Sequence, residues 1–582
     1  MLSKNTAPSP ELAIALRAMW VAFLGVGALS GVINILLLTG SFYMLQVYDR
    51  VLPSRSLPTL LALSGLALIL FIFYGLLDYI RARILIRIGT AFDVSLSRRI
   101  YLAIVNWSLL TKNSGADVNL LRDLDQIRAF VTGAGPLALF DLPWLPIYIA
   151  ICYIFHPWIG ALAALGAIIL FALTILSEVL TREKTKRVTE LSVKRGSLAE
   201  ESRRNASVLK SMGMIPQFGA SWDDLNFRYV SSLQEASDST NALGAISKVF
   251  RMVLQSAVLG LGAYLVINQQ ATGGVIIAGS IITARALAPL DIIIANWKSF
   301  LSARQSSTRL SSILAWMPVQ EERTALERPV RMLSVESISA AAPGSTQLVV
   351  DGVSFTLESG RGLGILGPNA SGKSSLAKIL VGIWSPIRGK VRLDGAALDD
   401  WPPDLLARDI GYLPQEIELL SGTVAQNIAR FEREADSAAV LQAAKAAGIH
   451  EMILRLPQAY ETQIGEGGRT LSSGQRQRLA LARALYRDPF FLVLDEPDSN
   501  LDAEGEEALT NCIANVRRRG GIVVVIAHRP SALAAIEHVL IMNYGRVQAL
   551  RPAEEFFKTV PMQRPQFNSV TTSWTSTGKV AS

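Results

Sequence analysis

Apolar residues are concentrated in the first half of the chain. Long runs fall at approximately Trp20–Leu45, Leu57–Ile80, Pro136–Phe155, Trp158–Leu180, Gly244–Ile267 and Gly274–Trp297. Each approaches the roughly 20 residues that a helix needs to cross about 30 Å of hydrocarbon, so the pattern predicts an all-α unit of six spans. The connectors alternate in length. A short turn around Asp49 to Ser56 joins the first two runs, His156-Pro157 separates the third and fourth, and Asn268 to Gly273 joins the last two. The other two connectors, of about 55 and about 60 residues, keep helical periodicity and are expected to stand out of the membrane on one side. Beyond a polar, helical linker near Ser302–Arg331 the pattern shifts to short β-like runs, Gly362–Leu366, Phe490–Leu494 and Ile522–Ile526, alternating with helical segments. That alternation predicts an α/β domain with a parallel sheet. The expected organisation is a short segment 1–17, a membrane unit 18–315, a linker 316–331, an α/β domain 332–565, and a tail 566–582. The tail is Ser/Thr-rich and without periodicity, and is expected to be disordered.

Composition agrees with a partly membrane-embedded chain. Half of the 582 residues are hydrophobic and only 18% are charged, against roughly 25% in soluble domains, which excludes a single soluble domain. The net charge of +8 could signal nucleic acid, but its location argues otherwise. Up to residue 315 there are 28 basic and 18 acidic residues, and beyond it 28 and 30. The excess follows the second run (Arg81, Arg83, Arg87, Arg98, Arg99) and the fourth (Arg182, Lys184, Lys186, Arg187, Lys194, Arg195, Arg203, Arg204). Such clusters mark cytoplasmic connectors, and no basic-aromatic module supports nucleic-acid binding. Two cysteines, Cys152 and Cys512, and four histidines cannot build a disulfide framework or a zinc site. The first apolar run exceeds the 7–15 residues of a signal-peptide core and no small-residue cleavage site follows, so a cleaved leader is not expected. Asp141 and Asp291 lie in or beside apolar runs; both are expected near the cytoplasmic interface, satisfied by water or a basic partner.

The α/β half carries the chemistry. Gly367-Pro368-Asn369-Ala370-Ser371-Gly372-Lys373-Ser374 follows one predicted strand and precedes a helix beginning at Ser375. This is the phosphate-cradling P-loop pattern: glycines let backbone N–H groups close around phosphates, Lys373 reaches the β/γ-phosphates, and Ser374 offers its hydroxyl to Mg²⁺. The run Phe490–Leu494 delivers Asp495 and Glu496 to the carboxyl end of a strand, where α/β ligands bind. Asp495 is expected to hold Mg²⁺ and Glu496 to act as general base toward water. Between these motifs, Leu471-Ser472-Ser473-Gly474-Gln475 opens a basic helix whose N-terminus suits an anion.

With those residues in place, the chain resembles the ABC transporters, Ser473 replacing the first glycine of the LSGGQ signature. Other markers follow in the family order: Gln415 at the Q-loop, Thr462–Gly468 as the exporter-type TxVGExG segment, Ser499–Asp502 at the D-loop, and His528 as the switch histidine. The resemblance implies that ATP binds to Gly367–Ser375, Gln415, Ser472–Gln475 and Asp502. It assigns Mg²⁺ to Ser374, Gln415 and Asp495, and hydrolysis to Glu496 and His528. It also implies a homodimer, because ATP in this family lies between the Walker A loop of one ATPase domain and the signature of another. One family feature is missing: where an adenine-stacking aromatic is usual, this chain reads Ala340-Ala341-Ala342-Pro343-Gly344.

The membrane half narrows the resemblance. Tyr43–Arg55, with Tyr48-Asp49-Arg50-Val51-Leu52-Pro53, is similar to the end of the first span in type I protein-secretion ATPases. Arg285–Asp291 with Asn296-Trp297-Lys298, and Glu201–Met214, are similar to other segments of that group. Only about 17 residues precede the first predicted span, too few for the N-terminal cysteine-peptidase domain of bacteriocin exporters or its inactive relative in haemolysin-type exporters. This points to the short, protease-exporter-like branch. The resemblance implies a multi-pass protein of the bacterial inner membrane with a cytoplasmic ATPase. It also implies a periplasmic adaptor, a TolC-like outer-membrane channel, and unfolded protein substrates with C-terminal signals, often bearing calcium-binding repeats. An exporter of lipids or small amphiphiles shares every ATPase motif and is the nearest alternative; an ATP-gated channel or regulatory subunit is more distant.

Overall fold

The computed structural model describes residues 11–110, 120–317, 323–527 and 533–559. The chain divides into two compact units, Met1–Val319 and Gln320–Ser582.

In the first unit six helical segments are long and apolar enough to cross a membrane: Trp20–Ser54, Leu57–Trp107, Ala134–Phe155, Pro157–Arg204, Ile215–Ile267 and Gly273–Ala315. They are called the first to sixth spans. Only 11% of the apolar window of the second span is buried; the outward face left by such packing is what lipid requires. The fourth and fifth spans continue as helix beyond their apolar stretches, forming the expected extensions. His156 ends the third span with extended backbone, and its Nδ1 accepts from the Trp158 N–H at 3.2 Å to cap the fourth.

At the junction of the first two spans the structure departs from the predicted turn at Asp49–Ser56. Helix continues through Ser54, with a π-helical turn at Val47–Val51, and the chain reverses at Arg55, whose φ is 51°. Asp49, expected at the start of that turn, has a tertiary use. Asp49 accepts from the Gly274 N–H at 2.9 Å and from the Thr272 hydroxyl at 2.7 Å, capping the sixth span from across the unit.

The two aspartates singled out within the apolar runs, Asp141 and Asp291, are paired, as burial demands. Asp141 accepts from Asn34 Nδ2 at 2.7 Å and from Arg81 Nη1 at 3.0 Å, Arg81 also donates to Ser30 and Asp78, and the Tyr148 hydroxyl donates to Asn34 Oδ1 at 2.9 Å. This network ties together the first three spans. Asp291 pairs with Arg251 of the fifth span. Both aspartates therefore have a basic partner, one of the two ways in which they were expected to be satisfied.

The second unit holds two sheets. β1 (Met332–Ala341), β2 (Leu348–Glu358), β4 (Arg388–Leu393) and β5 (Ala396–Ala397) form an antiparallel sheet in the order β2-β1-β4-β5. The larger sheet comprises β3 (Gly362–Leu366), β6 (Ile410–Leu413), β7 (Phe491–Asp495), β8 (Ile522–Ile526), β9 (His538–Asn543) and β10 (Arg546–Pro552), in the order β10-β9-β3-β8-β7-β6. All neighbours but β10–β9 run parallel. Its central strands are buried on both faces, which explains their continuous apolar sequence. Leu492, Leu494, Val523 and Val525 enter one core cluster, while Phe491, Val493, Ile522, Val524 and Ile526 enter the other, the period-two alternation of a strand.

The helical linker expected over Ser302–Arg331 is only partly helical. The sixth span ends at Ala315, and residues 323–331 carry no helix. Pro329 cannot donate a helical hydrogen bond. The N–H groups of Val330, Arg331 and Met332 donate instead to the Asp394 carboxylate at 2.7, 2.9 and 2.8 Å.

Candidate functional site

The P-loop joins β3 to the helix Lys373–Leu380. Two glycines are sterically required: a Cβ on Gly367 would lie 2.2 Å from the Met542 carbonyl oxygen, and one on Gly372, at φ 96°, 2.4 Å from that of Val349. Lys373 folds back so that Nζ donates to the carbonyls of Gly367 at 2.8 Å and Pro368 at 2.9 Å. Burial holds its ammonium below the usual lysine range. Ser371 Oγ, inside the loop, is buried without a hydrogen-bond partner among the described residues, a polar atom that a bound anion would satisfy.

Opposite the loop, parallel pairing brings in Asp495 at the end of β7, where it is level with Ile526 of β8. Asp495 is 1% exposed and accepts from the Ser374 hydroxyl at 3.2 Å. Burial pushes its carboxyl up to about 6, the neighbouring Glu496 charge acting in the same direction and the Ser374 bond opposing it. Glu496 follows in the left-handed region, φ 51°, with its N–H bonded to the Ile526 carbonyl at 2.8 Å. A non-glycine residue there costs on the order of 1–3 kcal/mol, and such strain clusters at functional positions. Asn369–Ser375, Gln415 and Glu496 line one cleft of about 670 Å³ with Val349.

The signature residues lie elsewhere. Ser472 caps the helix Ser473–Leu485 in a capping box: its Oγ accepts from the Gln475 N–H at 3.3 Å, and Gln475 Oε1 accepts from the Ser472 N–H at 2.9 Å. Ser472, Gly474, Gln475, Arg478, Asn500 and Asp502 line a separate cavity of about 380 Å³. Asp502 caps the helix Ala503–Arg518 through the Gly505 N–H at 2.9 Å and pairs with Arg478. That backbone bond, aided by Arg478, holds its carboxyl below the ordinary range. The two cavities share no lining residue. Ser473 begins the signature helix without lining its cavity, and His528 lies outside the described residues.

Comparison with known proteins decides the family. A model described as ABC transporter transmembrane region matches residues 22–288, and one described as ABC transporter matches 350–499. The type I secretion system ATP-binding protein PrsD of Rhizobium meliloti (strain 1021) is 53% identical over 565 residues, 97% of each chain. This chain belongs to the ABC transporters of type I secretion systems. The leukotoxin translocation ATP-binding protein LktB of Mannheimia haemolytica is 30% identical over 88% of this chain and 72% of its own length. A solved bacterial Atm1-family ABC exporter with ATP bound shares the fold, with a TM-score of 0.80 at 21% identity over 93% of this chain and 96% of that one. The transporter is accordingly a multi-pass membrane protein that binds ATP and couples its hydrolysis to transport.

The transporter's cleft lacks an aromatic wall among the described residues. Ala340 and Ala341 end β1, and the apolar side is Val349 of β2. Sequence reading also passed over Gln477. This residue is 2% exposed; its Nε2 donates to the carbonyls of Glu496 at 3.3 Å and Pro497 at 2.5 Å, and its Oε1 accepts from the Asn500 N–H at 3.1 Å. A signal was present: Gln477 shares a helical face with buried Ala480, Leu481 and Ala484, where a polar side chain needs specific partners.

Proposed function

We propose that this chain is the inner-membrane permease and ATPase of a type I secretion system. It exports unfolded proteins that carry C-terminal secretion signals, calcium-binding repeat proteins among them. The similarity to PrsD across 97% of both chains carries this reading; LktB, named for leukotoxin translocation, adds a second relative named for translocation. The partners are a periplasmic adaptor and a TolC-like outer-membrane channel, and the arginine and lysine clusters after the second and fourth spans support a cytoplasmic ATPase unit.

The residues of the phosphate cleft fit a nucleotide with Mg²⁺: a glycine loop closed to side chains, an unpartnered Ser371 hydroxyl, and a hydroxyl–carboxylate pair at Ser374 and Asp495. Lys373 releases the loop carbonyls to bind phosphate oxygens, while the P-loop N–H groups orient them. Ser374, Asp495 and Gln415 would hold Mg²⁺, which when bound would supply positive charge against the charge that develops in phosphoryl transfer. Glu496 removes a proton from the attacking water, and His528 orients that water. Ser472, Gly474, Gln475 and Asp502 line a separate cavity, with Ser473 beginning the same helix, so these residues are assigned to the nucleotide of a second copy. The working form is a homodimer with two composite sites.

Deletion of the gene tests the reading. One or more proteins should disappear from the culture medium and return with the wild-type gene but not with Glu496→Gln. An unchanged extracellular protein profile together with an altered lipid distribution would replace protein export by lipid export.

A further inference from the structure

A second charged cavity, of about 360 Å³, lies between the fourth and sixth spans. Glu178 and Arg182 line it from the fourth, and Arg304, Gln305, Thr308 and Arg309 from the sixth. Arg309 is held by Asp123 at 2.5 Å. Arg182 and Arg304 have no ion pair or side-chain hydrogen bond among the described residues, leaving two guanidinium groups directed to one space with a single carboxylate, Glu178, beside them.

Depth identifies the kind of anion. Arg182 follows the end of the apolar run Trp158–Leu180 by two residues, about 3 Å of helix rise, which puts it at the level of lipid headgroups. Glu178 and Arg182 share a helix face with Phe171 and Ile175, which are 54% and 53% exposed. An apolar strip thus leads from hydrocarbon depth to the arginine cavity. Free phosphate would use only the cavity, and an acidic peptide would gain nothing from the strip. A phospholipid matches both, and basic pockets between spans on the cytoplasmic side suit anionic headgroups. Glu178, Gln305 and Thr308 add polar partners for headgroup hydroxyls.

We propose that the pocket formed by Arg182, Arg304 and Arg309 binds the phosphodiester headgroup of an anionic phospholipid such as phosphatidylglycerol. The test uses the full chain in nanodiscs of phosphatidylethanolamine and phosphatidylglycerol, with retained lipid read by native mass spectrometry after release. Wild type should keep phosphatidylglycerol adducts at least about fivefold above Arg182→Gln/Arg304→Gln, with phosphatidylethanolamine adducts equal. Arg182→Lys/Arg304→Lys, which keeps both charges, should recover most of the difference. Equal ATPase rates of wild type and glutamine variant in pure phosphatidylethanolamine discs establish that the variant is folded. Equal phosphatidylglycerol retention by the two proteins would overturn the proposal. So would displacement of the adducts by millimolar inorganic phosphate, which assigns the site to a free anion. A polyglutamate peptide that binds wild type but not the glutamine variant and displaces the lipid would overturn it in favour of an acidic polypeptide.

Discussion

Asp495 ends β7 between β6 and β8, bonded to Ser374 of the phosphate cleft, and its burial has a measurable cost. Burial raises its carboxyl from an ordinary 3.8 to about 6. Because the folded carboxyl binds its proton more tightly than the unfolded one, unfolding releases a proton between those values, and stability falls as pH rises through that window. At 1.36 kcal/mol per pH unit the full cost is about 3 kcal/mol above pH 6, and roughly half of it is already present at pH 5. Asp495→Asn removes the charge while keeping an oxygen that can accept from Ser374. Without nucleotide and with chelator present, the ATPase-unit transition of the detergent-solubilised variant should therefore melt higher than wild type at pH 7.5. For a unit of this size the gain corresponds to about 6–12 °C, shrinking to about half at pH 5.0. Adding Mg²⁺ and ATP should reverse the order, because stabilisation by ligand follows affinity and the variant lacks the anionic oxygen. Equal midpoints at pH 7.5, or a gain that does not shrink on acidification, would refute the assignment of a carboxylate whose burial outweighs its favourable partners.

Glu496→Gln should lower steady ATP hydrolysis by at least about 100-fold while ATP binding, measured with a fluorescent analogue, stays within about threefold; hydrolysis that survives the change eliminates Glu496 as the base. Arg81→Leu should cost about 3–5 kcal/mol by leaving Asp141 unpaired, and Arg81→Leu/Asp141→Leu should recover most of it. Thermal unfolding in detergent reads both, and a double variant no more stable than the single one contradicts the pairing argument. In Gly274→Ala the new Cβ would lie 2.6 Å from Asp49 Oδ1, an overlap expected to cost about 1–3 kcal/mol. Asp49→Ala should relieve that overlap, so strictly additive losses in the Asp49→Ala/Gly274→Ala cycle would show that the contact is not what makes Gly274 necessary.

What was legible in the sequence was local. Span positions follow from apolar runs, the P-loop from contiguous residues in a strand-loop-helix setting, and β3 and β8 from runs bounded by turn residues. The Asp49 cap, the Arg81–Asp141 pair and the Gln477 bonds join residues 225, 60 and 19 to 23 positions apart, and no periodicity encodes such pairings. Asp49 shows the difference most plainly. Its polarity suggests a solvated turn, yet its carboxylate satisfies the backbone of a helix that begins 224 residues later. In the same way, the expected helix is absent from residues 323–331, where Asp394, a distant acceptor, takes the N–H groups of Val330, Arg331 and Met332 that a helix would use.

Gln477 explains how two cavities with no shared lining residue can still act together. One bonded side chain fixes the first turns of the signature helix to the backbone carbonyls of Glu496 and Pro497 and to the N–H of Asn500. Sliding that helix relative to β7 would strand a buried amide and its partners, at about 1–3 kcal/mol for each group left unsatisfied. Small displacements are thus disfavoured by a cost of a few times the thermal energy, which couples the position of the signature helix to that of Glu496. If the phosphates of a second copy press on Ser472–Gln475, the push reaches Glu496 through this glutamine without any change in the central sheet. In the homodimer proposed above, a buried polar residue on an otherwise apolar helix face would therefore give the two halves of a composite ATP site a mechanical link inside a single chain.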